Sequence, residues 1–256
     1  MLNELLIGKF QFFLLIMMRM FGMVAVAPFF SSAIIPMRIK VVLTLGITIV
    51  IFPILSTKVP IQIPHGIFDY FFLIGNELIV GLTIGLLLSI IFAAFQLAGE
   101  FFSIQMGLGI SEVFDPMSQI HVPLIGQFLT LLGTLIFILT KGHLLLIEGV
   151  YQSYMSVPQL DLIKSSGTLS KSMIDVFVNM FSIALKISLP IMGTLFIVTL
   201  CMGLLAKFAP QMNILMLGFP VYITIGFIML ILLLPYIVEN GNYIIEKYLE
   251  QIFHLF

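Results

Sequence analysis

Six long apolar stretches recur along this chain, near Phe10–Phe30, Ile39–Leu55, Phe68–Phe95, Pro123–Leu139, Met173–Leu205 and Ile214–Val238. A helix needs about 20 mainly apolar residues to cross the roughly 30 Å hydrocarbon core of a bilayer, and each stretch approaches that length. Long continuous runs of this kind do not alternate in polarity as a membrane β-strand does. The expected fold is therefore all-α, a multi-span membrane protein of about six hydrophobic helical segments. Charge supports this, since only 9% of the residues are charged while 61% are hydrophobic. A soluble domain carries roughly a quarter charged residues, so these few could not cover a water-facing surface.

The breaks between the stretches carry turn chemistry: Ser31-Ser32 and Pro36, Pro60 and Pro64, Asp115-Pro116, Pro158 to Ser170, and Pro210. No soluble module separates from the rest, so the chain is read as one membrane unit. Two stretches, Phe68–Phe95 and Met173–Leu205, exceed the length of a span, and must tilt or leave the bilayer to pack on protein. Ala25-Val26-Ala27 resembles a signal-peptide cleavage site, but Arg19 interrupts the preceding run and Pro28 follows it, so a retained first span is expected. With six spans, Lys9, Lys58, Lys164, Lys171 and Lys247 share one side against Arg38, Lys40 and Lys207, which favours cytoplasmic termini. After the last stretch, Ile244, Ile245, Tyr248, Leu249, Ile252 and Phe253 recur at helical spacing opposite Glu246, Lys247 and Glu250, an amphipathic helix suited to a membrane surface or a partner.

Several function classes drop out. A net charge of −1 without like-charge runs leaves no footprint for nucleic acid. Cys201 is the only cysteine, which excludes an intrachain disulfide and a cysteine-rich zinc site. His65, His121, His143 and His254 are dispersed without metal-ligand spacing, and neither a phosphate-binding loop nor a dinucleotide fingerprint is present. No cofactor and no enzymatic chemistry are expected.

The informative polar residues lie within the apolar stretches. An ionisable group near the bilayer centre costs about 2.5–3.5 kcal/mol on insertion scales, so Arg19, Glu77, Asp175 and Lys186 each require a partner or an aqueous path. Arg19 and Glu77 suit either a buried inter-helix pair or a conduction role. Asp175 and Lys186 stand three helical turns apart, too far for a direct pair within one helix. Gly81 and Gly85 form a small-xxx-small pattern for close helix packing.

From Glu100 to Pro116 the chain joins two stretches without a lysine or arginine, mixing Gly107 and Gly109 with bulky apolar residues. Irregular backbone at membrane depth is tolerated where protein buries it or where it lines a cavity. The segment is thus either a re-entrant, gate-like loop or an interfacial connector held by its glycines. Lys141-Gly142-His143 and Lys207 to Asn213 read as turns, with Gln211 and Asn213 able to brace the break at Pro210 or to contact a partner.

Taken in order, these features resemble the FliR family of the flagellar type III export apparatus, and less closely its virulence-secretion counterparts. The resemblance rests on Arg19-Met20-Phe21-Gly22 leading to Ala27-Pro28-Phe29-Phe30 and Pro36-Met37-Arg38, and on Glu100 through Gln105-Met106-Gly107-Leu108-Gly109 to Phe114-Asp115-Pro116. It continues with Gly142-His143, Ser153-Tyr154 and Pro158, then Ala206 through Pro210-Gln211-Met212-Asn213 to Gly218-Phe219-Pro220.

The resemblance implies a single-copy subunit of an export gate in the bacterial inner membrane at the flagellar basal body. It implies assembly with FliP-like and FliQ-like subunits, and with a FlhB-like one, into a helical pore-forming complex that passes unfolded flagellar proteins. Residues 1–158 would be the FliP-like part and 159–256 the FliQ-like part, built as helical hairpins. The pore plug would fall to Gly107, Gly109, Ile110, Val113 and Phe114, although the family favours an aromatic where this chain has Ile110. Arg19, Glu100, Gln105, Asp115, Pro116, Pro210, Gln211 and Asn213 would serve structure or partner contact. The competing expectation is a secondary transporter whose path is lined by Arg19, Glu77, Asp175 and Lys186.

Overall fold

The computed structural model describes residues 2–32, 35–59, 64, 66–108, 124–156 and 162–253. Among them are seven helices: α1 (Leu2–Val26), α2 (Met37–Lys58), α3 (Ile67–Gln105), α4 (Leu124–Leu139), α5 (Gly142–Ser156), α6 (Leu162–Phe208) and α7 (Ile214–Phe253). Five are long and apolar enough to cross a membrane, and α4 with α5 form one broken candidate for a sixth crossing. The all-α, multi-span expectation holds, and the described residues contain no strand.

Three helices run further than the apolar stretches suggested. α3 continues ten residues beyond Phe95, so Glu100 to Gln105 are helical and the irregular backbone starts only at Met106. α6 begins at Leu162, so the polar stretch through Ser170 is helical and contains no proline to break it. α7 is 40 residues long and absorbs Pro220 and Pro235, so the amphipathic C-terminal segment is its last part. Its apolar face is covered by this chain itself: Ile245, Tyr248 and Leu249 are buried while Glu246 and Lys247 are exposed.

The chain forms two compact units, the first comprising Met1–Ile91, Phe137–Phe177 and Ile244–Phe256. In it, α1 and α3 cross at glycines. A Cβ on Gly22 would lie 2.5 Å from the Leu78 carbonyl oxygen, one on Gly85 2.8 Å from that of Met23, and one on Gly81 would overlap the Arg19 carbonyl. The Gly81/Gly85 pattern thus brings two backbones together, and Ser89 Oγ donates across the crossing to the Val26 carbonyl at 2.9 Å. α2 buries a stripe of Lys40, Thr44, Thr48, Ile51 and Leu55. The two threonine hydroxyls bond the carbonyls one turn earlier, at 2.7 Å each, which removes their cost in an apolar setting. Phe52 of α2 packs on Phe12 and Phe13 of α1, with ring centroids 6.0 and 5.6 Å apart.

The second unit comprises Phe92–Ile136 and Val178–Tyr243. Here α3 and α4 meet at another glycine pair, where a Cβ on Gly99 would stand 2.6 Å from the Gly126 Cα. Met106, at the end of α3, is buried against α7 at Gly226, where a Cβ would come within 2.6 Å of its Cγ and Sδ.

Gly81→Leu should therefore separate α1 from α3 and lower the melting temperature and membrane abundance of the protein sharply, as overpacking a tight contact costs about 1–3 kcal/mol or more. Gly46→Leu, on α2 where a Cβ meets nothing within 4 Å, should leave both near wild type. Thermal melts and immunoblots of the two variants check the contrast.

Candidate functional site

The most buried polar cluster lies in the first unit and joins three helices. Arg19 of α1 and Glu77 of α3 form an ion pair, Nε to Oε2 at 2.6 Å, with side chains 1% and 3% exposed. The same Glu77 oxygen accepts a hydrogen bond from the Tyr154 hydroxyl of α5 at 2.8 Å. Arg19 also donates through a terminal nitrogen to Ser153 Oγ at 2.8 Å, and that hydroxyl donates onward to the Val150 carbonyl at 2.7 Å. The guanidinium lies over the Tyr154 ring, 3.7 Å from its centroid. Its remaining terminal nitrogen has no acceptor among the described residues, so the aromatic face is the main compensation on that side.

Two of the sequence-predicted charges thus meet, as a buried inter-helix pair. Ser153 and Tyr154 complete the site, and no spacing rule could have assigned them to it. They lie 134 and 77 residues from the partners they bond, Arg19 and Glu77, and only the helix crossing brings them together. The pair turns inward and is sealed. Asp175 and Lys186 are exposed on α6.

The other predicted residues fall at helix ends. Glu100, half-buried on α3, accepts a hydrogen bond from Gln96 Nε2 at 2.9 Å. Gln105 is half-buried, with its side-chain oxygen lacking a donor among the described residues. Gly107 stops α3: its φ is 81°, its N–H bonds the Ile104 carbonyl at 3.0 Å, and the Leu108 N–H bonds that of Ser103 at 3.2 Å. This is a Schellman stop, which requires the left-handed conformation glycine adopts freely and an L-residue reaches at a cost of roughly 1–2 kcal/mol. Gly109, Ile110, Val113, Phe114, Asp115 and Pro116 lie outside the described residues.

At the other break, α6 ends at Phe208, and Pro210, Gln211 and Asn213 are exposed. Asn213 caps α7, its Oδ1 accepting from the Met216 N–H at 3.2 Å, so α7 begins directly after the proline turn. Lys141 turns the chain between α4 and α5 with φ 56°, and its carbonyl accepts from Leu144 and Leu145 at 2.8 and 3.2 Å. No cluster of three or more metal-ligating side chains occurs among the described residues.

Removing one member of the ion pair strands the other in an apolar setting, at a cost of about 3–5 kcal/mol. Arg19→Met and Glu77→Met should each lower stability by that order. The double variant should lose less than either single one, because no charge is left unpaired. Tyr154→Phe should cost about 1.5–3 kcal/mol, since the ring remains under the guanidinium while one hydrogen bond to a charge is lost. A double-mutant cycle on detergent-solubilised protein, read by thermal melting, measures all four.

Residues 10–248 match the family described as bacterial export proteins, family 1. A flagellar biosynthetic protein FliR from Bacillus subtilis is 33% identical over 232 residues, covering 88% of this chain and 87% of its own. Proteins of the same name from Pectobacterium carotovorum and Escherichia coli are 31% and 29% identical, over 90% and 93% of this chain and 86% and 88% of theirs.

Proposed function

Because this chain belongs to family 1 of the bacterial export proteins, we propose that it is a membrane subunit of the flagellar type III export gate, helping to form and seal the channel for unfolded flagellar proteins. The carrying observation is the match, over 88% and 93% of this chain, to proteins named for flagellar biosynthesis, joined to a buried Arg19–Glu77 pair that turns inward. The chain acts as a structural component of the export apparatus, not as an enzyme. It works in the inner membrane at the flagellar basal body, beside FliP-like, FliQ-like and FlhB-like subunits. Residues 1–158 form its FliP-like part and 159–256 its FliQ-like part.

The mechanism follows from where α3 stops. Met106, seated on Gly226, and the Schellman turn at Gly107 give the following loop a fixed starting post. Apolar side chains on that loop, Ile110, Val113 and Phe114, close the resting pore by excluding water, as hydrophobic constrictions do. Gly109 lets the loop yield when a chain enters. Arg19, Glu77, Ser153 and Tyr154 hold α1, α3 and α5 rigid, while Glu100, Gln105, Asp115, Pro116, Pro210, Gln211 and Asn213 shape helix ends and partner contacts. Energy for export comes from other components of the apparatus.

Replacing Val113 and Phe114 with glycine should raise ion leakage across the inner membrane at least several-fold without loss of the assembled complex. Dye-reported leakage in cells, alongside recovery of the complex, checks it. An unchanged leak in an intact complex would contradict the seal.

A further inference from the structure

We infer that the first turn of α2 holds the phosphate of an anionic phospholipid, whose acyl chain runs down the exposed side of that helix. Three features meet at this helix end. Its opening turn is uncapped: Pro36 at the N-cap offers no side-chain bond, and the Met37 and Arg38 N–H groups have no acceptor among the described residues. The charges at this end, Arg38 and Lys40, are both cationic, and no acidic residue accompanies them in the first turn. Lys40 is only 9% exposed, yet its ammonium has no hydrogen bond or ion pair among the described residues.

Each feature is unfavourable alone. The helix dipole puts partial positive charge at the N-terminus, where a cation is disfavoured by about 0.3–1 kcal/mol and open N–H groups require an acceptor. Lys58, at the other end of the same helix, has the ordinary arrangement: the dipole favours it there, and it donates to the Tyr151 hydroxyl at 3.1 Å. Phe52 packs on Phe12 and Phe13, so Lys40, about 18 Å earlier on α2, lies beside the C-terminal end of α1. α3 passes that end at Ser89 and carries no acid between Glu77 and Glu100. Side chains on a helix lean toward its N-terminus, so Lys40 reaches back to the open turn from the α1 side, and Arg38 reaches it from about 200° around the helix. One anion seated over the turn satisfies the two N–H groups and both cations together, as phosphates at helix N-termini do.

Depth selects a lipid phosphate over a soluble one. The 22 residues of α2 rise about 33 Å, close to the roughly 30 Å hydrocarbon core, so its first turn lies at the headgroup layer. Below Arg38, at helical spacing, Val42, Leu45 and Ile49 form an exposed apolar stripe suited to an acyl chain. A zwitterionic headgroup brings its own ammonium to the phosphate, so an anionic lipid binds better at this cationic turn. The site depends on α2 crossing a membrane and not on the export function.

The test is native mass spectrometry of the full-length chain in detergent micelles doped with phosphatidylglycerol or phosphatidylcholine, alongside thermal melts. The wild type should retain one phosphatidylglycerol at activation energies that strip phosphatidylcholine, and saturating phosphatidylglycerol should raise its melting temperature by about 5 °C. Lys40→Met should cut the retained fraction at least about tenfold and abolish the thermal shift. Arg38→Gln should cut it about fivefold, and Lys40→Arg should stay within about twofold of wild type. Arg38 is exposed, so its variant decides the matter even where Lys40→Met fails to fold. Equal retention of the two lipids by the wild type, or of phosphatidylglycerol by the wild type and Arg38→Gln, overturns the inference. Millimolar inorganic phosphate that displaces the lipid and reproduces the thermal shift makes the ligand a soluble anion and overturns the lipid assignment.

Discussion

A guanidinium and a carboxylate sharing one bond in an apolar interior constrain nearly everything else in the first unit. Neither Arg19 nor Glu77 can be left alone there, so α1 and α3 must meet at a fixed register, and the glycines at 22, 81 and 85 make that approach sterically possible. The Tyr154 hydroxyl and Ser153 then fix α5 on the same centre. Such a pair adds little net stability over a well-packed apolar alternative, but it penalises every other register heavily. It acts as a locator, and its chemistry is spent on the frame.

The distribution of polarity follows from that lock. With the inward charges satisfied, the outward surfaces of the long helices are largely apolar, and α6 and α7 bury only 17% of their most apolar windows within the chain, against 56% for α3. α3 is thus far more enclosed than α6 or α7. A chain built this way is completed by its surroundings. That suits a subunit of an export gate, in which lipid and neighbouring subunits finish the fold, better than a self-contained transporter.

Much of this was legible in the sequence because insertion energetics leave few choices. The apolar runs announced the spans, and the cost of a lone charge announced that Arg19 and Glu77 needed partners. The small-xxx-small spacing marked the α1–α3 crossing from one side. What stayed hidden depended on tertiary contact or on helix persistence. Ser153 and Tyr154 stood out only as part of the family resemblance, since nothing local records the partners that use them. Glu100 to Gln105 read as a connector because polar residues begin there, yet the helix continues until Gly107 supplies the conformation that ends it. The C-terminal amphipathic segment showed its apolar stripe but not what covers it, and here the chain covers it itself.

A subunit of an export gate functions as one component of a larger membrane complex. The most direct measurement is the native mass of what co-purifies with the tagged chain in mild detergent when FliP-like and FliQ-like partners are co-expressed. A gate subunit should give a single stable species containing one copy of this chain and several copies of the others. A monomer or homodimer that ignores those partners would contradict it.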